Sequence, residues 1–375
     1  MIGYSARLLA ELALAAGQAV VALDYFGDVD LRAMCPSRSL RHDFGGRAYS
    51  APALAAAARE IPAAAVVYGA SFENHPDLVA ALAKGRRLLG NTPATLRQTR
   101  DPLRLAAALR DGGFAFPATY PIETPPEPGQ RQWLYKPLHS GGGHGVRRWR
   151  GGPTGAPGII QERRPGMVGS AAFVADGRRA AVLGLTEQLV GRRAFGAAGF
   201  RYAGNLTPPR LPARARAELA RQAQAVVAHL TAAFGLRGVN GLDFVWHAGR
   251  LWTLEVNARP SASLELFDAA QPGWVFAAHR AGCRGRLATP PSPASNEPAR
   301  GKAVLFAAED VVVGDTAGWA ARGRRDIPHP GEVIQKGHPI CTVLATARTA
   351  EACLAALRRQ AAAVRRELTA LGVSA

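Results

Sequence analysis

Strand-like and helix-like apolar patterns alternate along the first 90 residues. Helical stripes over Ser5–Ala16, Pro52–Glu60 and Pro76–Ala83 take turns with short strand-like runs at Ala19–Leu23, Ala64–Tyr68 and Arg87–Leu89. This βα rhythm predicts a parallel sheet covered by helices, because such strands are buried on both faces and read as unbroken apolar runs. The helix at Ser5 needs a strand before it, and only Met1–Tyr4 is available. Either that strand is very short or the natural start lies upstream. Pro93–Gly112 reads as two short helices. From Gln132 to Asn257 the pattern changes to strands and hairpins, interrupted by one long amphipathic helix at Pro212–Phe234. The Pro-rich stretches Glu123–Arg131 and Ala288–Arg300 read as linkers. Beyond the second, Lys302–Ala308 and Ile340–Ala345 read as strands and Thr349–Leu371 as a closing helix, a small α+β piece expected to pack back on the first region.

Composition narrows this picture. At 375 residues, 48% of them apolar, the chain suits two or three domains. No apolar run reaches the roughly 18 residues of a membrane helix. The first 18 residues look like a secretory leader, but Glu11 breaks the stretch and no cleavage site follows, so they read as a first-domain helix. Cys35, Cys283, Cys341 and Cys353 have no metal or disulfide spacing, which fits reduced thiols in the cytoplasm. The net charge of +18 points towards nucleic acid, yet only four of the 46 basic residues are lysine and the arginines are scattered rather than interleaved with aromatics. A GC-rich coding bias explains the excess, nucleic acid is disfavoured, and an anionic small molecule is the better partner.

The strongest chemical signal lies in Gly241–Arg259. His247–Arg250 is a turn between two strand runs, so the segment folds as an antiparallel hairpin. Counting outward places Asp243 almost opposite Glu255. Alternation puts Glu255 and Asn257 on one face, with Trp252, Leu254 and Val256 on the other. Two carboxylates and an amide converge on one patch; the like charges repel unless a cation neutralises them, and hard oxygen ligands favour Mg²⁺ or Mn²⁺. The competing reading is a solvated hairpin with chance acids, but Arg259 follows directly, well placed for a phosphate. A second constellation is Trp133–Pro137, which delivers Lys136 from a strand into a loop with glycines at 141, 142, 143 and 145. Such a loop lets N–H groups approach phosphates, although it is not a Walker A loop and a flexible turn is an equal reading. A third segment, Gly158–Gly166, is a strand ending in Gln161, Glu162 and Arg163. The turn Gly3–Arg7 offers N–H groups to an anion, with simple helix capping as the alternative.

In this order and spacing the segments resemble the ATP-grasp superfamily, from about Leu89 to Leu266. Glu255-Val-Asn-Ala-Arg259 is similar to the Glu-x-Asn-Pro-Arg of biotin carboxylase-type members, with Ala258 in place of proline. The resemblance implies an ATP-grasp fold, α/β and α+β: a Rossmann-like pre-ATP-grasp domain over 1–90, an ATP-grasp domain over 91–287 with a lid at about 114–170, and a biotin-carboxylase-like cap over 288–375. It implies that Lys136 binds the α- and β-phosphates of ATP while Gly141, Gly142 and Gly143 close over them. Gln161, Glu162 and Arg163 would form the adenine and ribose hinge. Asp243, Glu255 and Asn257 would hold Mg²⁺ (or Mn²⁺), with Arg259 and Lys136 as the catalytic pair. An early lysine common in the family is missing: the stretch here is Arg100-Asp101-Pro102, leaving Arg100 or Arg104 as substitutes. Leu185–Gln188, Phe200–Gly204, Gly235–Gly241, Ser261–Glu265, Asp326–Gly331 and Gly337–Thr342 resemble the predicted ATP-dependent carboligase branch, which accompanies one-carbon cofactors of the methanopterin and furan types. Tyramine–glutamate ligase of furan-cofactor synthesis is a related ATP-grasp enzyme.

The expected function is therefore an ADP-forming carboxylate–amine ligase with small-molecule carboxylate and amine substrates, no membrane partner, and a homodimer as one possible assembly. Arg7, Glu187, Gln188 and Tyr202 are the residues expected on the acceptor side, with structural hydrogen bonding as the equal alternative for each. A bicarbonate-activating carboxylase, which would need a separate biotin carrier, and a non-catalytic nucleotide-binding regulator are the other readings.

Overall fold

The computed structural model describes residues 1–46, 48–127, 129, 131–291 and 297–371. The expected Pro-rich linkers Glu123–Arg131 and Ala288–Arg300 therefore lie partly outside the described residues. In the N-terminal region Ala22–Asp24 pairs in parallel with Ser37–Ser39, and Ala65–Val66 with Arg87–Leu88. Ahead of the first helix the strand position is held by a single bridged residue. Ile2 bridges both Leu23 and Tyr68 in parallel, and its N–H donates to Val67 O at 3.0 Å. Helix Arg7–Ala15 follows at once, with Ala6 N donating to Asp24 Oδ2 at 2.9 Å. Two short helices come next, each capped by a side chain at its N-terminus: Thr92 caps Pro93–Thr99 and Asp101 caps Pro102–Asp111.

The chemistry is carried by two antiparallel sheets. A four-stranded sheet runs Thr119–Pro121, Gly158–Glu162, Trp133–Pro137, Arg147–Trp149 in spatial order. It is small, with a core of Trp133, Tyr135, Trp149 and Ile160. The large sheet has eight strands, in the order Arg250–Asn257, Arg237–His247, Met167–Asp176, Ala180–Val190, Tyr202–Thr207, Ala299–Phe306, Pro339–Ala347 and Arg324–Arg325. Its C-terminal strands continue the central ones without a break, since Gly204 pairs with Ala303 and Leu206 with Gly301.

Met167–Asp176 is apolar at successive positions because both its faces are covered. Ala171 and Phe173 pack with Leu219, Ala223, Val226 and Leu230 of helix Ala213–Phe234. Ala172 and Val174 pack with Val275, Phe276 and Ala278 of helix Trp274–Cys283. Each buried Leu, Val or Phe side chain among them contributes about 1.5–3 kcal/mol. Asn91 ties the N-terminal region to the hairpin, donating to Asn240 Oδ1 at 2.6 Å and Ala258 O at 2.9 Å. The C-terminal segment closes on the first region, where Val29 N donates to Ile327 O at 2.8 Å. All four cysteines are free, and among the described residues no helix is long and apolar enough to cross a membrane.

Candidate active site

The hairpin forms as its sequence demands. Ala248 and Gly249 both take positive φ (48° and 74°), which suits a two-residue turn between strands of right-handed twist. Asp243 stands opposite Glu255 and Gly241 opposite Asn257. One detail departs from strict alternation: a bulge at Leu254 separates the Asp243–Glu255 and Phe244–Thr253 pairs. Val256 is buried as expected, whereas Trp252 and Leu254 are partly exposed, and the Arg164 guanidinium lies 3.7 Å from the Trp252 ring centre.

The two carboxylates are held differently. Asp243 accepts from Gln188 Nε2 at 2.9 Å and from Asn257 Nδ2 at 3.2 Å. Burial, then the facing charge of Glu255, pushes its carboxyl up to about 8. Burial works against ionised Glu255 as well, but Lys136 and Arg100 outweigh it and hold that carboxyl below its usual range. Without a counter-ion the pair cannot readily carry two charges. The donor set, two carboxylates and an amide oxygen with neither sulfur nor imidazole, therefore fits a hard divalent cation such as Mg²⁺ or Mn²⁺.

A ring of cations surrounds this patch. Arg259 is anchored on both sides: Nε donates to Glu73 Oε1 at 2.6 Å and Nη2 to Asn257 Oδ1 at 3.1 Å. Arg100 approaches Glu255 to 3.8 Å and donates to Leu138 O at 2.9 Å, linking the patch to the glycine loop. Arg104 is turned away, largely exposed and paired with Asp101. Of the two arginines that flank the missing lysine, Arg100 is the one at the site. Lys136 Nζ donates to Gln161 Oε1 at 3.1 Å, and Gln161 Nε2 to Thr119 Oγ1 at 3.0 Å. Glu162 is buried and paired with Arg164 at 2.9 Å, while Arg163 reaches Gln132 Oε1 at 2.7 Å.

The glycine loop is docked against the segment before Tyr202–Thr207. Gly142 O accepts from Tyr202 N at 2.9 Å. Gly143 has φ +74°, and a Cβ there would lie 1.9 Å from Phe200 O. Gly143→Ala is therefore expected to hold the loop off its seat, raising KM for ATP about tenfold or more with little change in melting temperature. Steady-state kinetics beside thermal melting checks this; an unchanged KM would remove the loop from the site.

The acceptor-side candidates separate. Gln188 faces the patch through Asp243. Its neighbour Glu187 is held elsewhere by Arg210, whose Nε donates at 2.9 Å. Tyr202 bonds through its hydroxyl to Asn205 and lies within electrostatic reach of Asp243, Glu265 and Asp326. Arg7 is buried, donating to Asp326 at 2.9 Å and to Glu265 and Glu11 at 2.6 Å. Glu73, the anchor of Arg259, has no local sequence signal: it sits in a single turn, Phe72–Asn74, 186 positions away. Only the three-dimensional fold brings them together.

An oxygen-donor hairpin, a lysine strand and a glycine loop docked beside them make up the candidate site. Residues 99–263 match the family described as the ATP-grasp domain, so the chain contains a stretch similar to that domain. Pyruvate carboxylase of Rhizobium etli superposes with a TM-score of 0.69 at 16% identity, over 96% of this chain but only 36% of that longer protein. The biotin carboxylase domain dimer of Hydrogenobacter thermophilus 2-oxoglutarate carboxylase, solved with MgADP, ADP and bicarbonate, gives 0.71 at 15%, covering 96% and 88%. L-amino acid ligase of Bacillus licheniformis gives 0.66 at 14%, covering 96% and 95%. At these identities the likeness establishes the fold. No curated protein sequence matches the chain.

Proposed function

We propose that this chain is an ATP-dependent carboxylate–amine ligase that forms ADP through an acyl phosphate. The observation that carries the reading is the facing pair Asp243–Glu255 with Asn257, ringed by Lys136, Arg100 and Arg259. Asp243, Glu255 and Asn257 would hold Mg²⁺ or Mn²⁺, which when bound neutralises phosphate charge. Lys136 contributes a point charge to the phosphates and the Gly141–Gly143 loop covers them. A substrate carboxylate oxygen attacks the γ-phosphorus and ADP leaves. Arg259, fixed by Glu73, stabilises the transferred phosphoryl group. The amine nitrogen then attacks the acyl carbon, the C–O bond to phosphate breaks, and the nitrogen gives up a proton. Positioning and charge neutralisation do the catalytic work.

Resemblance to the predicted carboligase branch supports a finer reading, in which glutamate or an amine is added to a one-carbon-carrier precursor of the methanopterin or methanofuran type. The Bacillus licheniformis neighbour is an amino acid ligase by its description, which supports amide formation, and the dimeric Hydrogenobacter domain supports a homodimer. The test is ADP release with Mg–ATP across amino acids, amines, and furan and pterin precursors. Release that requires one acid and one amine is the expected result. AMP release would overturn the acyl-phosphate route, release requiring only bicarbonate would mark a carboxylase, and ATP binding without turnover on any substrate would mark a regulator.

A further inference from the structure

The Asp326–Gly331 motif, which the proposed chemistry leaves unused, runs into a tight turn that carries two metal-type ligands. His329-Pro330-Gly331-Glu332 closes on itself, with Glu332 N donating to His329 O at 3.2 Å. Proline in the second place and glycine at φ +83° in the third fit a type II turn, which sets its first and last residues side by side. Val313 clamps the turn: Gly331 N donates to Val313 O at 2.7 Å and Val313 N to Glu332 O at 2.9 Å. His42 meets it from the first region. It lies in the short helix Leu40–Asp43, where Ser39 Oγ accepts from His42 N at 3.2 Å. Its Nε2 stands 2.8 Å from Glu332 Oε1, and its ring centre is 4.6 Å from that of His329. One ligand atom from each of His42, His329 and Glu332 lies within 4.8 Å of the other two.

The surroundings orient these groups as ligands. His329 Nε2 lies 2.7 Å from Gly27 O. A carbonyl only accepts, so Nε2 carries the proton and Nδ1 of the neutral ring keeps its lone pair. An imidazole steadied in this way, by a hydrogen bond from one nitrogen to a backbone carbonyl, is the usual form of a metal-binding histidine. Glu332 is divided between its two oxygens. Arg41 Nη1 takes Oε2 at 3.2 Å while its Nη2 donates to Val333 O at 2.9 Å, and Oε1 is left to His42. The other cation near His42, Arg32, is paired with Asp43. The side chains of His42 and Glu332 are 28% and 11% exposed, so an ion from solution can reach them.

We propose that His42, His329 and Glu332 bind one divalent transition-metal ion of the zinc class, which staples the C-terminal segment to the first region. Two imidazoles and one carboxylate suit zinc, with water as its fourth ligand, and suit magnesium poorly. The ion takes Oε1 of Glu332 and a lone pair from each ring. It replaces the His42–Glu332 hydrogen bond, and the proton on His42 Nε2 moves to Nδ1. None of the three ligands belongs to the hairpin patch, so the inference stands or falls apart from the ligase reading.

The test is calorimetric titration of zinc chloride into the full chain after treatment with a chelator, with magnesium chloride in excess throughout to occupy the hairpin patch. One zinc per chain is the expected result. Zinc at roughly 100 times its Kd should raise the melting temperature by about 3 °C above the magnesium baseline. His42→Gln and His329→Gln should each weaken zinc binding by about 100-fold or more, beyond the cost of losing an outer-shell partner. No zinc bound, or affinity unchanged in either variant, would overturn the proposal. A second measurement needs no variant and so survives a failure of either to fold. The chain has nine histidines, and zinc should shift the ring-nitrogen NMR signals of two of them. Shifts in any other number sink the proposal.

Discussion

Glu255→Gln lowers turnover at saturating Mg–ATP by about 10³-fold or more, with the fold intact. The size follows from what the side chain faces. Glu255 stands opposite Asp243 and is kept ionised by Lys136 and Arg100 against the cost of burial. Glutamine keeps the shape but supplies no charge to hold the cation, and loss of one preorganised electrostatic group costs about 10²–10³ before metal affinity is counted. Removing one of two facing carboxylates also relieves the repulsion that raises Asp243. The variant is therefore expected to melt at or slightly above the unaltered temperature. Steady-state ADP release with a far-UV melt separates the two effects; undiminished activity would refute the metal assignment.

Arg259→Ala is expected to lose both stability and turnover, and the two losses can be told apart. Arg259 is the hydrogen-bond partner of Glu73 Oε1, and Glu73 Oε2 is already buried without one. Removing the arginine leaves a buried, uncompensated carboxylate, a loss of about 3–5 kcal/mol. Adding Glu73→Gln removes that charge and should recover most of the melting temperature. Turnover should stay about 10²-fold or more below that of the unaltered chain, because the cation beside the phosphoryl group is still missing. If the double variant recovers activity along with stability, Arg259 is a structural residue only.

What could be read from the sequence was what is local. The turn at Ala248–Gly249 sets the hairpin register, so counting along the chain brought Asp243 to within one position of Glu255, and the bulge at Leu254 completes the pair. Helix Ala213–Phe234 announced itself by the spacing of Leu219, Ala223, Val226 and Leu230. The bulge at Leu254 escaped, because one extra residue leaves the hydrophobic pattern almost unchanged. Helix Trp274–Cys283 was not anticipated either, being short and apolar on most sides. Glu73 carried no motif: it gains its meaning from Arg259, far along the chain. The choice of Arg100 over Arg104 likewise depends on how the chain turns between two helices: Arg100 ends Pro93–Thr99 and reaches Glu255, whereas Arg104 lies in the first turn of Pro102–Asp111 and pairs with Asp101.

The uninterrupted eight-stranded sheet limits how this gene can be divided. A boundary near 288 separates two regions on paper, yet Tyr202–Thr207 and Ala299–Phe306 share one hydrogen-bond ladder across it. Expressing 1–287 alone would strip that ladder and present a bare strand edge, an invitation to precipitation. Supplying 288–375 as a separate polypeptide in the same cell should rescue solubility, as a split protein whose halves recognise each other by main-chain pairing.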